Sequence, residues 1–214
     1  MAQRNTRTPG TGAWQWSRTA ETRRVILQAA REVFTERGFT EAGIAAVVER
    51  SGSSVGSLYH HFGGKTELFL ALWDEFQAEQ ERRAASAVAE LRAAGEKDPM
   101  ELLVAGARAF LAGAWDGRDL MRLFMDGDGP PGFGLMRRTR ARAWVRQNAV
   151  LLGAGASAVE RATITILTTI IGEAGREVST CETAKEADQV AETTIRLIRR
   201  LDPMHIGGPA TAAD

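Results

Sequence analysis

Cysteine is almost absent from this sequence. The 214 residues include a single cysteine, Cys181, so no disulfide can form within the chain. Such a composition is typical of proteins from a reducing compartment. The first 17 residues are polar and contain glycine and proline, and they lack the apolar segment of a secretory signal. The sequence therefore predicts a cytoplasmic protein.

Long hydrophobic runs are also missing. The longest apolar stretch, residues 164–171, contains three threonines and is far shorter than the roughly 20 residues that a membrane-spanning helix needs. We therefore expect no membrane partner. Hydrophobic residues make up 44% and charged residues 25% of the chain, which is ordinary for a globular protein. No segment alternates apolar and polar residues as a half-buried strand does, so we predict an all-α fold.

Net charge is zero, but its distribution is uneven. Residues 1–66 carry nine basic and five acidic side chains, a net of +4, whereas the remainder carries 18 basic and 22 acidic ones, a net of −4. A basic first third is expected where one end of a protein meets a polyanion. The alternative is a chance bias of surface charge.

Apolar residues recur with helical spacing along most of the chain. The predicted helices cover residues 19–37, 44–50, 55–62, 65–94, 98–115, 118–125, 135–152, 156–180 and 183–201. Thr19 can cap the first helix, and Gly38 can end it. The predicted domains are a flexible basic arm (1–18), a three-helix domain (19–66), a larger helical domain (67–203) and a loose tail (204–214).

Residues 51–68, with the sequence SGSSVGSLYHHFGGKTEL, carry the most specific signal. Two short helices flank a four-residue turn that contains Gly52, which is the helix-turn-helix pattern whose second helix enters the major groove of DNA. Leu58 and Phe62 lie four residues apart and would anchor that helix in the core. Lys65 begins the next helix, where a cation opposes the helix dipole, so we expect an anion such as a phosphate beside it.

This stretch resembles the tetracycline-repressor (TetR) family of bacterial regulators. The similarity runs over residues 22–68, and its most specific part is the string Leu-Tyr-x-His-Phe-x-x-Lys-x-x-Leu, from Leu58 to Leu68. The family implies a three-helix DNA-binding domain, a helical ligand-binding domain and a homodimer. Carried over by position, the candidate DNA-binding residues are Ser54, Val55, Gly56, Ser57, Tyr59, His60, His61 and Lys65.

Two positions depart from the family pattern. Ala42 stands where the family often has threonine, and Val55 stands where it often has lysine. Both changes remove expected DNA contacts, so affinity would depend more on the arginine-rich N-terminal region (Arg4, Arg7, Arg18, Arg23, Arg24). Val55 could instead be a core residue, because it lies on the same helical stripe as Leu58 and Phe62, and Tyr59 could be a packing residue.

Catalytic and cofactor sites are not predicted. His60 and His61 diverge by roughly 100° on a helix and have no partner at ligand spacing, so they do not form a metal site. The string Gly64-Lys65-Thr66 imitates a phosphate-binding loop, but the required earlier glycine is replaced by Tyr59 and no strand precedes it. We expect no enzyme activity, no metal and no cofactor.

The second half of the sequence is predicted to bind a hydrophobic or flat small molecule, because helical bundles often enclose such cavities. The candidate pocket residues are Phe76, Phe110, Trp115, Met121, Phe124, Met125 and Trp144; the alternative is that they are ordinary core. Residues 162–174, with Val190, Ile195, Leu197 and Ile198, are predicted to form the dimer interface, or else to be internal core.

These features predict a homodimeric transcriptional repressor that binds a palindromic operator in double-stranded DNA and is released by a small-molecule effector. Dimerisation follows because one short recognition helix contacts too few bases for specificity. A helical small-molecule-binding protein or enzyme that has lost DNA binding is the first alternative, favoured by Ala42 and Val55. A protein-interaction module is the second.

Overall fold

The computed structural model describes residues 11–125, 128–155 and 157–201, with side chains from residue 19 onward. Over these ranges the protein is all-α and has no strand, which confirms the predicted fold class. Its helices are α1 (Thr11–Glu41), α2 (Ile44–Ser51), α3 (Val55–Phe62), α4 (Lys65–Ala93), α5 (Pro99–Asp116), α6 (Arg118–Met125), α7 (Phe133–Leu151), α8 (Ala158–Thr180) and α9 (Ala184–Leu201). Within that part of the chain, no helix is long and apolar enough to cross a membrane.

The start of α1 differs from the prediction. The helix begins at Thr11, so the backbone of residues 11–18 is helical, and Thr19 lies inside the helix instead of capping it. Gly38 (φ 72°, ψ 176°) interrupts the helical path, as expected, but a further turn continues to Glu41. The remainder of the predicted arm, residues 1–10, lies outside the described residues, as does the predicted tail at 204–214.

The other helix ends follow local capping signals. The side chain of Asp98 accepts a hydrogen bond from the N–H of Met100 (2.9 Å) and caps α5 ahead of Pro99. Ser157 and Glu160 form a capping box at the start of α8, each accepting a hydrogen bond from the other's backbone N–H. The predicted starts of α7 and α8, at 135 and 156, are each wrong by two residues.

The chain divides into two compact units after Trp73, inside α4. The predicted domain boundary, after residue 66, lies earlier in the same helix. In the first unit, the rings of Phe34, Phe39 and Phe69 pack together, with centroids 5.1 to 6.1 Å apart. The buried core of this unit also includes Ile26, Ala30, Val33, Val47, Leu58, Phe62 and Leu68.

The second unit is built around α8, which packs against α5, α6, α7 and α9. Its core cluster consists of Leu103, Val104, Ala107, Leu152, Ile164, Leu167, Ile171, Ile195 and Ile198. Gly175 allows α8 to approach Phe110 closely, since a Cβ there would lie 2.6 Å from Phe110 Cε1. The two helices are therefore in close contact at this point.

Five residues of the predicted dimer interface belong to this core instead. Ile164, Leu167, Ile171, Ile195 and Ile198 are buried within a single chain, so the prediction is wrong for them. They face inward because α8 and α9 each turn an apolar stripe toward the core of the second unit. Large apolar side chains nevertheless remain exposed on the other faces of α8 and α9, namely Val159, Ile166, Leu197 and Leu201.

Replacing Gly38 by alanine is expected to lower the free energy of unfolding by about 1 to 3 kcal/mol, because its φ and ψ lie in a region that is open essentially only to glycine. The matched control is Gly56→Ala in the same unit. Gly56 is helical, and a Cβ there would meet nothing closer than Ser54 Oγ at 4.0 Å, so this change should add up to about 1 kcal/mol. Urea unfolding of both variants would measure this; equal effects would contradict the assigned backbone conformation.

Candidate functional site

The turn between α2 and α3 is set by one glycine and two serines. Gly52 adopts a left-handed conformation (φ 62°, ψ 17°), and its N–H donates to the carbonyl oxygen of Glu49. The hydroxyl of Ser51 lies 2.8 Å from that of Ser53 and 3.2 Å from the carbonyl oxygen of Val48. Because these short-range bonds use the polar groups of the turn, α3 leaves α2 in a defined direction.

Helix α3 is anchored from below and capped at its start. Leu58 is fully buried and Phe62 is nearly so, while the guanidinium of Arg23 lies 5.0 Å from the centre of the Phe62 ring. Ser54 caps the helix, and its Oγ accepts a hydrogen bond from the N–H of Ser57 (3.1 Å). The serine predicted as a DNA contact therefore also has a structural role.

The outer face of α3 carries most of the predicted DNA-binding residues. Val55 and Tyr59 are each 51% exposed, so the alternative that made Val55 a core residue is wrong. Ser54, Gly56 and His60 are also exposed, whereas Ser57 and His61 are half-buried. The structure thus brings an apolar side chain, a phenol, an imidazole and a bare stretch of backbone together on one short helix.

The side chain of Lys65 contacts other residues of the first unit. Its Nζ donates a hydrogen bond to the carbonyl oxygen of Thr40 (3.0 Å) and lies 4.6 Å from the centre of the Phe39 ring. The lysine thereby links the start of α4 to the segment that follows the bend at Gly38. An ammonium has three donors, so contact with a phosphate remains compatible with this bond and stays a prediction. The acceptor lies 25 residues earlier in the chain, and sequence reasoning did not identify it.

Ala42 is 3% exposed. The methyl group therefore packs inside the first unit, and the sequence analysis, which treated position 42 only as a lost DNA contact, did not foresee this. A small side chain fits such a buried position because it leaves no polar group without a partner.

Ion pairs neutralise several arginines of the first unit. Arg50 pairs with Glu36 (2.6 Å), and Arg24 pairs with Glu21 (2.6 Å). The hydrogen bond that Arg50 donates to Glu36 lowers the pKa of the Glu36 carboxyl, and the same bond raises the pKa of Arg50. Residues 19–66 carry a net charge of only +1, and the other three positive charges of the first third are Arg4, Arg7 and Arg18, whose side chains lie outside the described part.

Among the residues that the structure describes, no group of three or more histidine, cysteine, aspartate or glutamate side chains is placed to hold a metal ion. His60 and His61 lie side by side, with ring centres 5.4 Å apart. The pair contributes imidazole donors and acceptors to the surface of α3.

The second unit contains a cavity of about 550 Å³ between α4, α5, α7 and α8. Small residues form much of its wall: Ala78, Ala84, Ala85, Gly106 and Ala107. Bulkier apolar residues complete the wall, and Glu81, Arg82, Gln147 and Asn148 supply its polar edge. A volume of this size is in the range of small-molecule sites, about 300 to 1,000 Å³.

Of the predicted pocket residues, Phe110 lines this cavity. Trp144 does not line the cavity, but it contacts Phe110, with ring centres 5.9 Å apart. Phe76, Met121 and Phe124 are buried in the packed interior, while Trp115 and Met125 are half-buried and not part of the cavity wall. The sequence prediction named bulky residues and missed the alanines and the glycine whose small size leaves space for the cavity.

Sequence comparison places the first unit in a known group. Residues 26–72 match the family described as bacterial regulatory proteins, tetR family. Over 50 residues the chain is 46% identical to the transcriptional repressor AcnR of Corynebacterium efficiens, which covers 23% of this chain and 27% of that protein. It is 46% identical over 52 residues to the transcriptional activator FasR of Mycolicibacterium smegmatis, covering 24% of each. The matches thus span about a quarter of the length of these relatives.

Solved structures extend the similarity to the whole fold. A TetR-like transcriptional regulator from Rhodococcus sp. RHA1 is 24% identical, with a TM-score of 0.63 over 91% of this chain and 97% of that one. A TetR-family regulator from Pectobacterium atrosepticum is 23% identical, with a TM-score of 0.56 over 86% and 94% of the two chains. Together, these matches show a domain of the tetR family of bacterial regulatory proteins at residues 26–72 and, over most of the chain, the fold of TetR-family regulators.

Proposed function

We propose that the protein is a transcriptional regulator that binds a specific DNA sequence, acts as a homodimer on a palindromic operator and leaves it when a small molecule binds. The observation that carries the proposal is the outer face of α3, where Val55, Gly56, Tyr59 and His60 are exposed above a buried Leu58 and Phe62. A short helix whose inner face is held in the core and whose first residues have small side chains can enter the major groove. It can then place its backbone close to base edges.

Each residue of this face has a distinct role in the proposal. The methyl groups of Val55 meet a thymine methyl, the only apolar group that the major groove offers. Gly56 and Ser57 bring backbone close to the bases, and Tyr59 and His61 hold phosphates with His60 nearby. Lys65 adds a phosphate contact through the donors that Thr40 leaves unused.

Two copies are needed because a single α3 reads only a few base pairs. The exposed apolar residues of α8 and α9, notably Ile166 and Leu197, supply a surface for a two-fold interface. In the bound dimer the two α3 helices would lie about 34 to 36 Å apart, one turn of DNA. Apolar side chains of this size are costly to leave exposed, and burial in an interface removes that cost.

The effector would bind in the second unit. Helix α4 is continuous from Lys65 to Ala93, so the same helix includes residues of the first unit and lines the cavity of the second between Ala78 and Val88. A ligand acts by its different affinity for two dimer shapes, and it releases DNA if it favours the shape with the wrong spacing. We propose repression as the outcome; the relatives include a repressor and an activator.

The change Gly56→Ala separates DNA binding from stability. It should leave the fold intact or slightly more stable, yet weaken binding to a duplex selected from random sequences by about tenfold or more, since the methyl group holds the backbone away from the base edges. The matched control is Gly134→Ala, at the equivalent second position of α7. Fluorescence anisotropy with labelled duplex measures both. Equal affinity for all three proteins, or no duplex enriched by selection, would favour the alternative without DNA binding.

Deleting residues 2–10 removes Arg4 and Arg7. If these residues neutralise phosphates, the slope of log affinity against log salt concentration should become shallower by about 2. A variant with both arginines changed to lysine keeps the charge and should keep the slope. A deletion that leaves the slope unchanged would show that the arm contributes no phosphate contacts.

Ile166→Asp should convert the dimer to a monomer, because a carboxylate would have to be buried in an apolar interface. Val150→Asp is the control, since Val150 is even more exposed, at 83%, but lies on α7. Light scattering after size-exclusion chromatography gives the mass of each variant. A monomer from Val150→Asp and a dimer from Ile166→Asp would move the interface to α7.

A further inference from the structure

Helix α7 carries positive charge only. It contains five arginines and no acidic residue, and the sequence has no aspartate or glutamate between Asp128 and Glu160. Without these five arginines, residues 67–214 carry 13 basic and 22 acidic side chains, a net charge of −9. Helix α7 is therefore a positive element in an otherwise acidic part of the chain.

Two of the five arginines are bound within the protein. Arg137 donates to the carbonyl oxygens of Phe124 and Met125 (2.6 and 2.9 Å), and Arg140 pairs with Glu81 (2.9 Å). On other helices of the second unit, three arginines pair with a carboxylate of a neighbouring helix: Arg83, Arg108 and Arg199. Such a pair satisfies a guanidinium without any external ligand.

The other three arginines of α7 have no such partner. Arg138, Arg142 and Arg146 are exposed and form no hydrogen bond or ion pair with any residue that the structure describes. Successive members are four residues apart, about 6 Å along the helix axis, so they lie on one side of α7 over about 12 Å; we call them the arginine face. Like charges at this spacing destabilise a helix. An anion bound along the face would remove that repulsion.

The composition of the arginine face fits a phosphate backbone better than a protein surface. Protein interfaces have apolar or aromatic anchors near their centre, but Trp144, the aromatic residue in the middle of α7, is half-buried against Phe110. The large exposed apolar residues of α7 lie near its two ends, namely Leu135, Met136 and Val150. Protein–DNA interfaces are more polar and more positively charged, and a guanidinium binds a phosphate through two parallel hydrogen bonds.

We propose that the arginine face of α7 is a second DNA-binding surface, separate from α3, that binds phosphates whatever the base sequence. Duplex DNA carries one phosphate per strand for about every 3.4 Å of its axis, so a face about 12 Å long can meet about three of them. Phosphate contacts carry no sequence information, so the face raises the affinity for any duplex. The proposal goes beyond the function proposed above and does not depend on base recognition by α3.

The test measures the affinity of the full-length protein for a fluorescent duplex of random sequence, by anisotropy, at several salt concentrations. The variant in which Arg138, Arg142 and Arg146 are all changed to glutamine should lose about three phosphate contacts. The slope of log affinity against log salt concentration should then become shallower by about 2 to 3, and the affinity at about 50 mM salt should fall by about tenfold or more. An unchanged slope would overturn the proposal.

Two further variants separate the position of the charge from its amount. Lysine at the same three positions keeps the charge and should keep the slope. Glutamine in place of Arg92, Lys97 and Arg122 removes the same charge from dispersed exposed positions and should change the slope by less than about 1, because these side chains do not form a face for phosphates. If the dispersed variant and the α7 variant have equal effects, net charge alone attracts the DNA and the proposal is wrong.

Poly-glutamate tests the rival occupant, an acidic protein. If the α7 substitutions weaken the binding of fluorescent poly-glutamate but leave the affinity for the duplex and its salt slope unchanged, the face binds acidic protein and the DNA assignment fails. Glutamine is about as good a helix former as arginine, so circular dichroism and the melting temperature should match those of the parent. If the triple variant melts earlier, the single change Arg142→Gln, with an expected slope change of about 1, decides the question.

The ratio of affinities for the selected and the random duplex separates this proposal from the proposed function. A ratio near one, with the effect of the α7 variant intact, would contradict sequence-specific binding and leave the arginine face standing. A high ratio, with no effect of the α7 variant on either duplex, would contradict the arginine face and leave the regulator standing.

Discussion

Burial of Leu58 and Phe62 is the constraint on which the candidate DNA interface depends. Both side chains lie in the core of the first unit, and the helical period then turns Val55, Gly56 and Tyr59 toward solvent. An eight-residue helix is too short to be stable by itself. Its shape therefore comes from this anchoring, from the Ser54 cap and from the left-handed turn at Gly52.

The bend at Gly38 and the position of Lys65 are parts of the same arrangement. Gly38 lets the chain turn after the long first helix, which brings the carbonyl oxygen of Thr40 within 3.0 Å of Lys65 Nζ. The ring of Phe39 packs against Phe69 and lies beside the same ammonium. The start of α4 is thus tied to the end of α1, so a lysine that the family pattern associates with phosphate also stabilises the domain that presents α3.

Helices α8 and α9 have two different apolar faces. One face, with Ile171, Ile195 and Ile198, builds the core of the second unit, and another leaves Ile166 and Leu197 exposed. A sequence with apolar residues on more than one side of a helix does not distinguish core from interface, because both uses bury the same kind of side chain. The cavity between α4, α5, α7 and α8 also depends on helix packing, since alanine and glycine leave space only where the neighbouring helices stay apart.

The sequence by itself determined the order of the helices and the turn before α3, but it left open whether Val55 lies in the core or at the surface. The helices and the turn depend on interactions between residues a few positions apart, such as the Asp98 cap and the period of Leu58 and Phe62. Only the tertiary structure decided the partner of Lys65, the burial of Ala42 and the wall of the cavity. Those features join residues that are distant in the chain, as Glu81 and Arg140 are. Helix packing decides which of these distant groups come into contact, and local sequence patterns do not predict those contacts.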